Sequence, residues 1–249
     1  MPRTAAEVFI GWDPVDALAA EVCASSIRRR TKRPVRFIRQ SDPDVRAVYK
    51  RPHRVEGKQH IDLGYRAKET PFSTEFSFTR FLVPYLAGYR GWAVFCDPDM
   101  LFTRSLDELF ALADPQYAVM VVKHIQTPRT DLKMHGVRQT VYPRKNWSSL
   151  VLWNCDHPAN DLLEPSVVNK FPGEFLHGFR WLEERHIGAL PVEWNWLVGC
   201  MQEGEDDAMA PPAGIHWTLG GPWLADYAVA PWHDLWVAEA QDYVPGAPR

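Results

Sequence analysis

The chain has 249 residues, 46% hydrophobic and 24% charged, with 28 basic against 31 acidic side chains and a formal net charge of −3. This length fits one large α/β domain or two small ones, and the composition is that of a globular protein. A balance so near neutrality gives no global electrostatic case for nucleic acid or an anionic membrane as partner.

Val8-Phe9-Ile10-Gly11-Trp12 reads as a first buried strand. Asp13-Pro14 then supplies a helix N-cap with proline at the first helical position, and Asp16 adds charge favourable to the dipole. Leu18, Ala19, Val22, Cys23, Ser26 and Ile27 recur at helical spacing, and Arg28, Arg29 and Arg30 close that helix at the end where cations are preferred. Pro34 to Ile38 predicts a second strand, so the opening is a βαβ unit with a parallel sheet. Residues 41–72 are polar with weak periodicity and read as irregular structure, a candidate flap. Thr74 to Leu86 reads as a helix that Pro84 kinks or ends early. Trp92 to Cys96 is a strand running into Asp97-Pro98-Asp99. Ser105-Leu106-Asp107-Glu108 opens a further helix to about Ala113 by a capping-box pattern. Tyr117 to Val122 and Leu150 to Asn154 are further strands, and Glu203 to Ala213 reads as a surface loop. No repeat, low-complexity tract or linker interrupts this alternation, so 1–249 is expected to form a single α/β domain around a mostly parallel sheet.

The four cysteines (Cys23, Cys96, Cys155 and Cys200) form no Cys-X-X-Cys pair, and three sit in apolar runs, which reads as reduced core chemistry. The first residues lack the apolar stretch of a signal peptide, and no run approaches ~18 apolar residues. The expectation is a soluble cytoplasmic protein without a transmembrane segment. Peripheral membrane contact stays open, and oligomeric state is not legible.

Two clusters carry chemistry. Asp97 and Asp99 follow a buried strand with one residue between them, and side chains two apart in extended chain point the same way. Neighbouring carboxylates repel unless a cation intervenes. Hard oxygen ligands suit Mg²⁺ or Mn²⁺, which pair naturally with substrate phosphates. The same tripeptide at Asp42-Pro43-Asp44 lies in a polar stretch and reads as turn chemistry. The second cluster is His216-Trp217-Thr218-Leu219-Gly220-Gly221-Pro222-Trp223, an imidazole beside two glycines that permit close backbone approach to phosphate. Taken alone, His216 reads first as a satisfied core histidine. Eleven tryptophans serve either core packing or sugar stacking.

With these motifs in order, the chain resembles GT-A fold glycosyltransferases of the retaining family 8 type. The resemblance runs through Val8–Trp12 with Asp13, the helix Ser73–Phe81, Asp97–Leu101, Asn146–Asn154, Leu190–Trp196 and His216–Trp223. It implies transfer of a hexose from a nucleotide-sugar, a UDP-sugar by preference, to a glycan or other hydroxyl acceptor. It further implies Mn²⁺ or Mg²⁺ on Asp97, Asp99 and His216. The nucleotide-sugar is then expected to contact Gly11, Trp12, Asp13, Arg80, Asp97, Gly220, Gly221 and Trp223, with 1–125 as donor half and 126–249 as acceptor half. Asp99, Glu193 and Asn195 are the catalytic candidates, Glu193 and Asn195 as contacts to sugar hydroxyls. Arg80 could instead pair with Glu75 or Asp97. Two departures stand out: Gly221 replaces a customary lysine, and no Asp-Gln pair is recognisable near Phe179–Glu183.

Two other readings compete. A sugar nucleotidyltransferase needs a Gly-rich basic loop after the first strand, which Gly11-Trp12-Asp13-Pro14 does not supply. A non-catalytic nucleotide-sugar- or glycan-binding module remains open.

Overall fold

Residue-by-residue alternation in the buried runs builds the centre of the molecule. The computed structural model describes residues 6–56, 59–64, 69–125, 144–200, 210–227 and 229–243. In chain order the opening elements are β1 (Glu7–Gly11), α1 (Ala17–Arg28), β2 (Val35–Ile38) and α2 (Pro43–Val48). Next come β3 (His53–Glu56), β4 (Gln59–Asp62), β5 (Pro71–Phe72), α3 (Phe76–Thr79) and α4 (Val83–Leu86). The middle holds β6 (Trp92–Cys96), β7 (Met100–Phe102), α5 (Leu106–Phe110), β8 (Val119–Val121) and β9 (Leu150–Asn154). The last part holds α6 (Pro165–Lys170), β10 (Ile187–Ala189), β11 (Trp196–Leu197), β12 (Gly214–His216) and a C-terminal helix, His233–Tyr243.

The central sheet has six strands in the order β10-β8-β9-β6-β1-β2. β1 runs parallel to β2 and to β6, β10 runs parallel to β8, and β9 is antiparallel to both β6 and β8. Phe9, Phe95, Val151 and Trp153 face one layer, while Val8, Ile10, Val94, Cys96 and Leu152 face the other. Period-two side-chain alternation thus fills two cores from the same short strands, as expected for a sheet covered on both faces. A second sheet, β11-β12-β7, packs beside α1 and the C-terminal helix through Val22, Leu101, Ile215, Trp217 and Trp236. The fully buried tryptophans Trp153, Trp194, Trp217 and Trp236 are core residues. Cys23, Cys96 and Cys155 are buried free thiols, as read from their apolar runs, and Cys200 is half-buried.

The mixed α/β fold, the opening βαβ unit and the break near Pro84 follow the sequence reading; the reading of residues 41–72 needs correction. Residues 41–72 are not irregular where described: they form α2 and the antiparallel sheet β3-β4-β5. Their anchor is Arg51, whose guanidinium is fully buried, bonds Asp62 through Nε at 2.9 Å and donates to the carbonyls of Val168 and Phe171. It also lies 3.7 Å over the Phe78 ring. The helix expected over 74–86 is broken into α3, a 3₁₀ turn Arg80–Leu82, and α4, with Pro84 in the first turn of α4 where its missing N–H costs least. Asp42-Pro43-Asp44 opens α2, in keeping with local turn chemistry. The loop expected over Glu203–Ala213 lies outside the described residues up to 209.

No described helix is long and apolar enough to cross a membrane. Breaking a buried ion pair leaves one desolvated charge behind, which typically costs about 3–5 kcal/mol. Asp62→Asn is therefore expected to lower unfolding free energy by that order, read from a urea denaturation curve with unchanged slope.

Candidate active site

The Asp97–Asp99 tripeptide is where the chain leaves one sheet for the other. Asp97 follows β6, its N–H donating to the Ser149 carbonyl at 2.8 Å and extending the β6–β9 ladder by one rung. Pro98 and Asp99 turn the chain, and β7 begins at Met100. The two aspartates therefore do not share one continuous strand. They meet because a proline-fixed turn bends the chain between them. β7 pairs antiparallel with β12 so that Met100 lies opposite His216, and Trp217 N–H donates to the Asp99 carbonyl at 3.1 Å. That register carries the His216 imidazole to Asp99, with Nε2 3.2 Å from Oδ1.

One ligand-type atom each from Asp97, Asp99 and His216 lies within 4.8 Å of the others. His216 Nε2 is buried and makes no hydrogen bond, whereas its Nδ1 is 2.8 Å from Asn195 Oδ1. Two carboxylates and one neutral imidazole suit a divalent cation of hard to borderline character. The donor set fits Mg²⁺ or Mn²⁺.

Arg80 is buried against Phe76 and Phe95 and sits 2.8 Å from Asp97 Oδ1, while Nη1 donates to the Ser148 carbonyl at 2.9 Å. Of the alternatives for this arginine, pairing with Asp97 is the one realised. Asp13 is buried with both oxygens engaged: Oδ1 accepts from Val15 N–H and Oδ2 from Glu75 N–H, each at 2.9 Å. It caps the turn into α1 and ties down the approach to α3. Gly11 is required by packing, because a Cβ there would press 2.6 Å from the Phe76 ring. Trp12 is half-buried under the Arg39 guanidinium, 5.2 Å from its ring centroid.

The Gly220-Gly221 pair serves the protein's own packing. Gly220 has φ +140, and a Cβ on it would meet the Tyr227 ring at 2.5 Å; a Cβ on Gly221 would overlap the Trp223 ring. This accounts for the missing lysine at Gly221: Trp223 folds over that position. Lys145 is buried. Lys123 pairs with Glu184 at 3.2 Å.

Glu193 is not brought to the cluster. It is 47% exposed and pairs with Arg104 at 2.7 Å, beyond the end of β7 opposite Asp99. Asn195 is fully enclosed behind His216, so it touches the imidazole and not the solvent-facing side of the site.

Three residues that the sequence reading did not place in the site join it. Asp16 is buried, and its carboxyl is pushed up to about 7 by desolvation, then by the charges of Asp99 and Asp13, with a smaller contribution from Asp97. The Trp223 indole N–H faces it and partly offsets this without reaching hydrogen-bond geometry. Its signal was the Asp13–Asp16 spacing in the first turn after a buried strand. His124 is pushed down to about 4 by burial, then by nearby His216, with a bond to the Asn195 backbone acting in the opposite direction. Ser149 carried no signal beyond its place ahead of a buried strand.

A curated relative, Protein CDI of Arabidopsis thaliana, is 43% identical over 238 residues, covering 95% of this chain and 86% of that protein. The chain belongs to the Protein CDI family. That name states no activity, and no family model matches the chain. Among solved structures, the bifunctional glycosyltransferase WbbM aligns with TM-score 0.62 at 15% identity over 98% of this chain. The chain spans about half of WbbM, 51% of its length. An active-site mutant of LgtC aligns with TM-score 0.56 at 14% identity, covering 96% of both chains. The fold is that of GT-A glycosyltransferases, as the sequence resemblance implied.

A carboxyl with a raised folded pKa binds protons more tightly in the native state, so its contribution to stability falls as pH rises from about 4 to 7. Asp16→Asn removes that penalty. In the presence of a chelator, the variant is expected to gain stability over wild type progressively across this window, by a few kcal/mol at its upper end. Thermal melts of the pair at several pH values check the sign.

Proposed function

We propose that this chain transfers a hexosyl group from a nucleotide-sugar, with UDP-sugars as the leading donors, to a hydroxyl acceptor such as a glycan. The observation that carries this reading is the convergence of Asp97, Asp99 and His216 at the carboxyl ends of β6 and β1 in a GT-A fold. In open α/β sheets that edge is where ligands bind. LgtC, which shares the fold over 96% of both chains, is described as a galactosyltransferase in complex with donor and acceptor sugar analogs.

The difficult event in glycosyl transfer is loss of a diphosphate as negative charge builds on it. Asp97, Asp99 and His216 would hold Mn²⁺ or Mg²⁺, which supplies Lewis-acid stabilisation of that charge. The protein's own residues do the positioning. Arg80 holds one oxygen of Asp97, and the β7–β12 register sets Asp99 against His216. Trp12 after β1 and Arg39 after the neighbouring β2 offer a flat cationic and aromatic surface to a base. An inverting enzyme needs a free base to deprotonate the acceptor. Glu193 is turned away toward Arg104, and Asp16 is buried, so neither is presented to an acceptor as that base. Retention, in which the departing phosphate takes the acceptor proton, is therefore the stereochemical reading we favour. Residues 1–125 form the donor half in this scheme and 126–249 the acceptor half.

Incubation with a panel of UDP-sugars and Mn²⁺ is expected to release UDP, with release suppressed by chelator and restored by added metal. Binding without turnover across the panel would support a non-catalytic module instead. Asp99→Asn is expected to lower turnover by about 100-fold or more, since a ligated cation contributes several kcal/mol to transition-state stabilisation. Its melting temperature without metal is expected to equal or slightly exceed wild type, through relief of carboxylate repulsion. Full metal-dependent turnover in this variant would refute the ligand assignment.

A further inference from the structure

Behind His216 runs a chain of buried hydrogen bonds whose direction is fixed at its far end. Asn146 adopts a left-handed backbone, φ 63, and its carbonyl accepts the Ser149 hydroxyl at 2.7 Å. The hydroxyl hydrogen is thereby used, and Ser149 Oγ is left as an acceptor. Asn195 Nδ2 donates to it at 2.9 Å and to the Asn146 carbonyl at 3.4 Å. The amide orientation follows: Asn195 Oδ1 must face His216 Nδ1, 2.8 Å away. An oxygen there accepts only if Nδ1 carries the hydrogen, which leaves the lone pair on Nε2, the atom that faces Asp99.

We propose that Asn195, oriented by Ser149, is a positioning residue that fixes the tautomer of His216 and so presents Nε2 as a ligand toward Asp97 and Asp99. This assignment rests on the metal-dependent reading above. The alternative orientation carries a definite cost. Flipping the amide sets Oδ1 against Ser149 Oγ, whose hydrogen is already committed, and sets the NH₂ group against His216 Nδ1. Nδ1 must then accept, the ring hydrogen moves to Nε2, and the ligand lone pair is lost. The bond between Asn195 and Ser149 would then be lost in a fully enclosed site, where unsatisfied polar groups are expensive. Asn195 reaches this position because β11, which begins one residue later, pairs parallel with β12 and sets Leu197 beside His216. The Ser149 carbonyl simultaneously holds Asp97 N–H, so a single residue anchors the backbone of one ligand and the ring of another.

The test compares wild type with Asn195→Leu, Asn195→Asp and Ser149→Ala by two readouts. Mn²⁺ affinity is measured by titration calorimetry or electron paramagnetic resonance. The imidazole tautomer of the metal-free protein is read by long-range ¹H–¹⁵N NMR. Removal of such a partner behind a ligating histidine typically costs 10–100-fold in metal affinity. Asn195→Leu is expected to show a loss of about that size, with Nδ1 no longer uniquely protonated. Asn195→Asp keeps the acceptor and is expected to retain the tautomer and Mn²⁺ affinity within about threefold, as carboxylate–histidine–metal triads do. Ser149→Ala frees the amide to flip and is expected to give a mixed tautomer and an intermediate loss. Should Asn195→Leu not fold, the Asp and Ala variants decide the matter by the same readouts. Wild-type binding with equal affinity in folded Asn195→Leu, or a folded Asn195→Asp with affinity as low as the Leu variant, overturns the assignment alone. A neutral wild-type ring protonated on Nε2 with Nδ1 bare also overturns it, even if metal binds. A wild-type chain that binds no Mn²⁺ overturns the metal reading and this assignment with it.

Discussion

The pairing of β7 with β12 is the constraint from which the site follows. It sets His216 opposite Met100 and so beside Asp99, two segments that lie more than a hundred residues apart in the chain. With that register fixed and the turn at Pro98 in place, three ligand-type atoms converge. The arrangement is electrostatically costly by itself. Two unit charges at the cluster's 4.8 Å limit repel by about 3–4 kcal/mol at an effective dielectric near 20. Asp13 adds to the same field, and burial first, then these charges, push the Asp16 carboxyl up. Arg80 answers part of it from the Asp97 side. A divalent cation would answer the rest.

The site is held by short polar contacts built into the buried layers. Ser148 and Ser149 are the crosspiece: the first accepts from Arg80, the second accepts from Asp97 N–H through its carbonyl and from Asn195 through its hydroxyl. Both precede β9, whose antiparallel pairing with β6 holds them next to Asp97. Rigidity here has a functional sense, because a cation of strict geometry rewards ligands that do not have to be reorganised. The Gly220–Trp223 segment closes the opposite side by packing rings over bare backbone, with Trp223 edge-on to Trp217 at 6.5 Å between centroids. The Trp223 ring occupies the space that a side chain at Gly221 would take.

The small sheet formed by β3, β4 and β5 belongs to the same scheme. The buried Arg51–Asp62 pair fastens it to α6, and His60 stacks on Phe72 with the His53 ring tilted against both, beside Phe78. Glu75, at the end of this segment, is held by Asp13 at the start of α1. A stretch with weak periodicity is thus attached to the end of β1, where the base of a donor would lie in the proposed reaction.

The sequence by itself determined the layered α/β class, the strands β1, β2, β6, β8 and β9 and the cap at Asp13, because these depend on local periodicity and on turn chemistry within a few residues. It also singled out Asp97, Asp99 and His216, since carboxylates after a buried strand and an imidazole beside glycines are locally conspicuous. The tertiary structure decided what those residues touch. Glu193 faces Arg104, Arg80 is spent on Asp97, and Asn195 stands behind His216 because strand register, which no local pattern encodes, chose their neighbours. Residues 41–72 stayed opaque for the same reason: their order comes from one buried guanidinium reaching carbonyls more than a hundred residues away. Long-range pairing of polar groups leaves no periodic trace, so only the folded chain could reveal it.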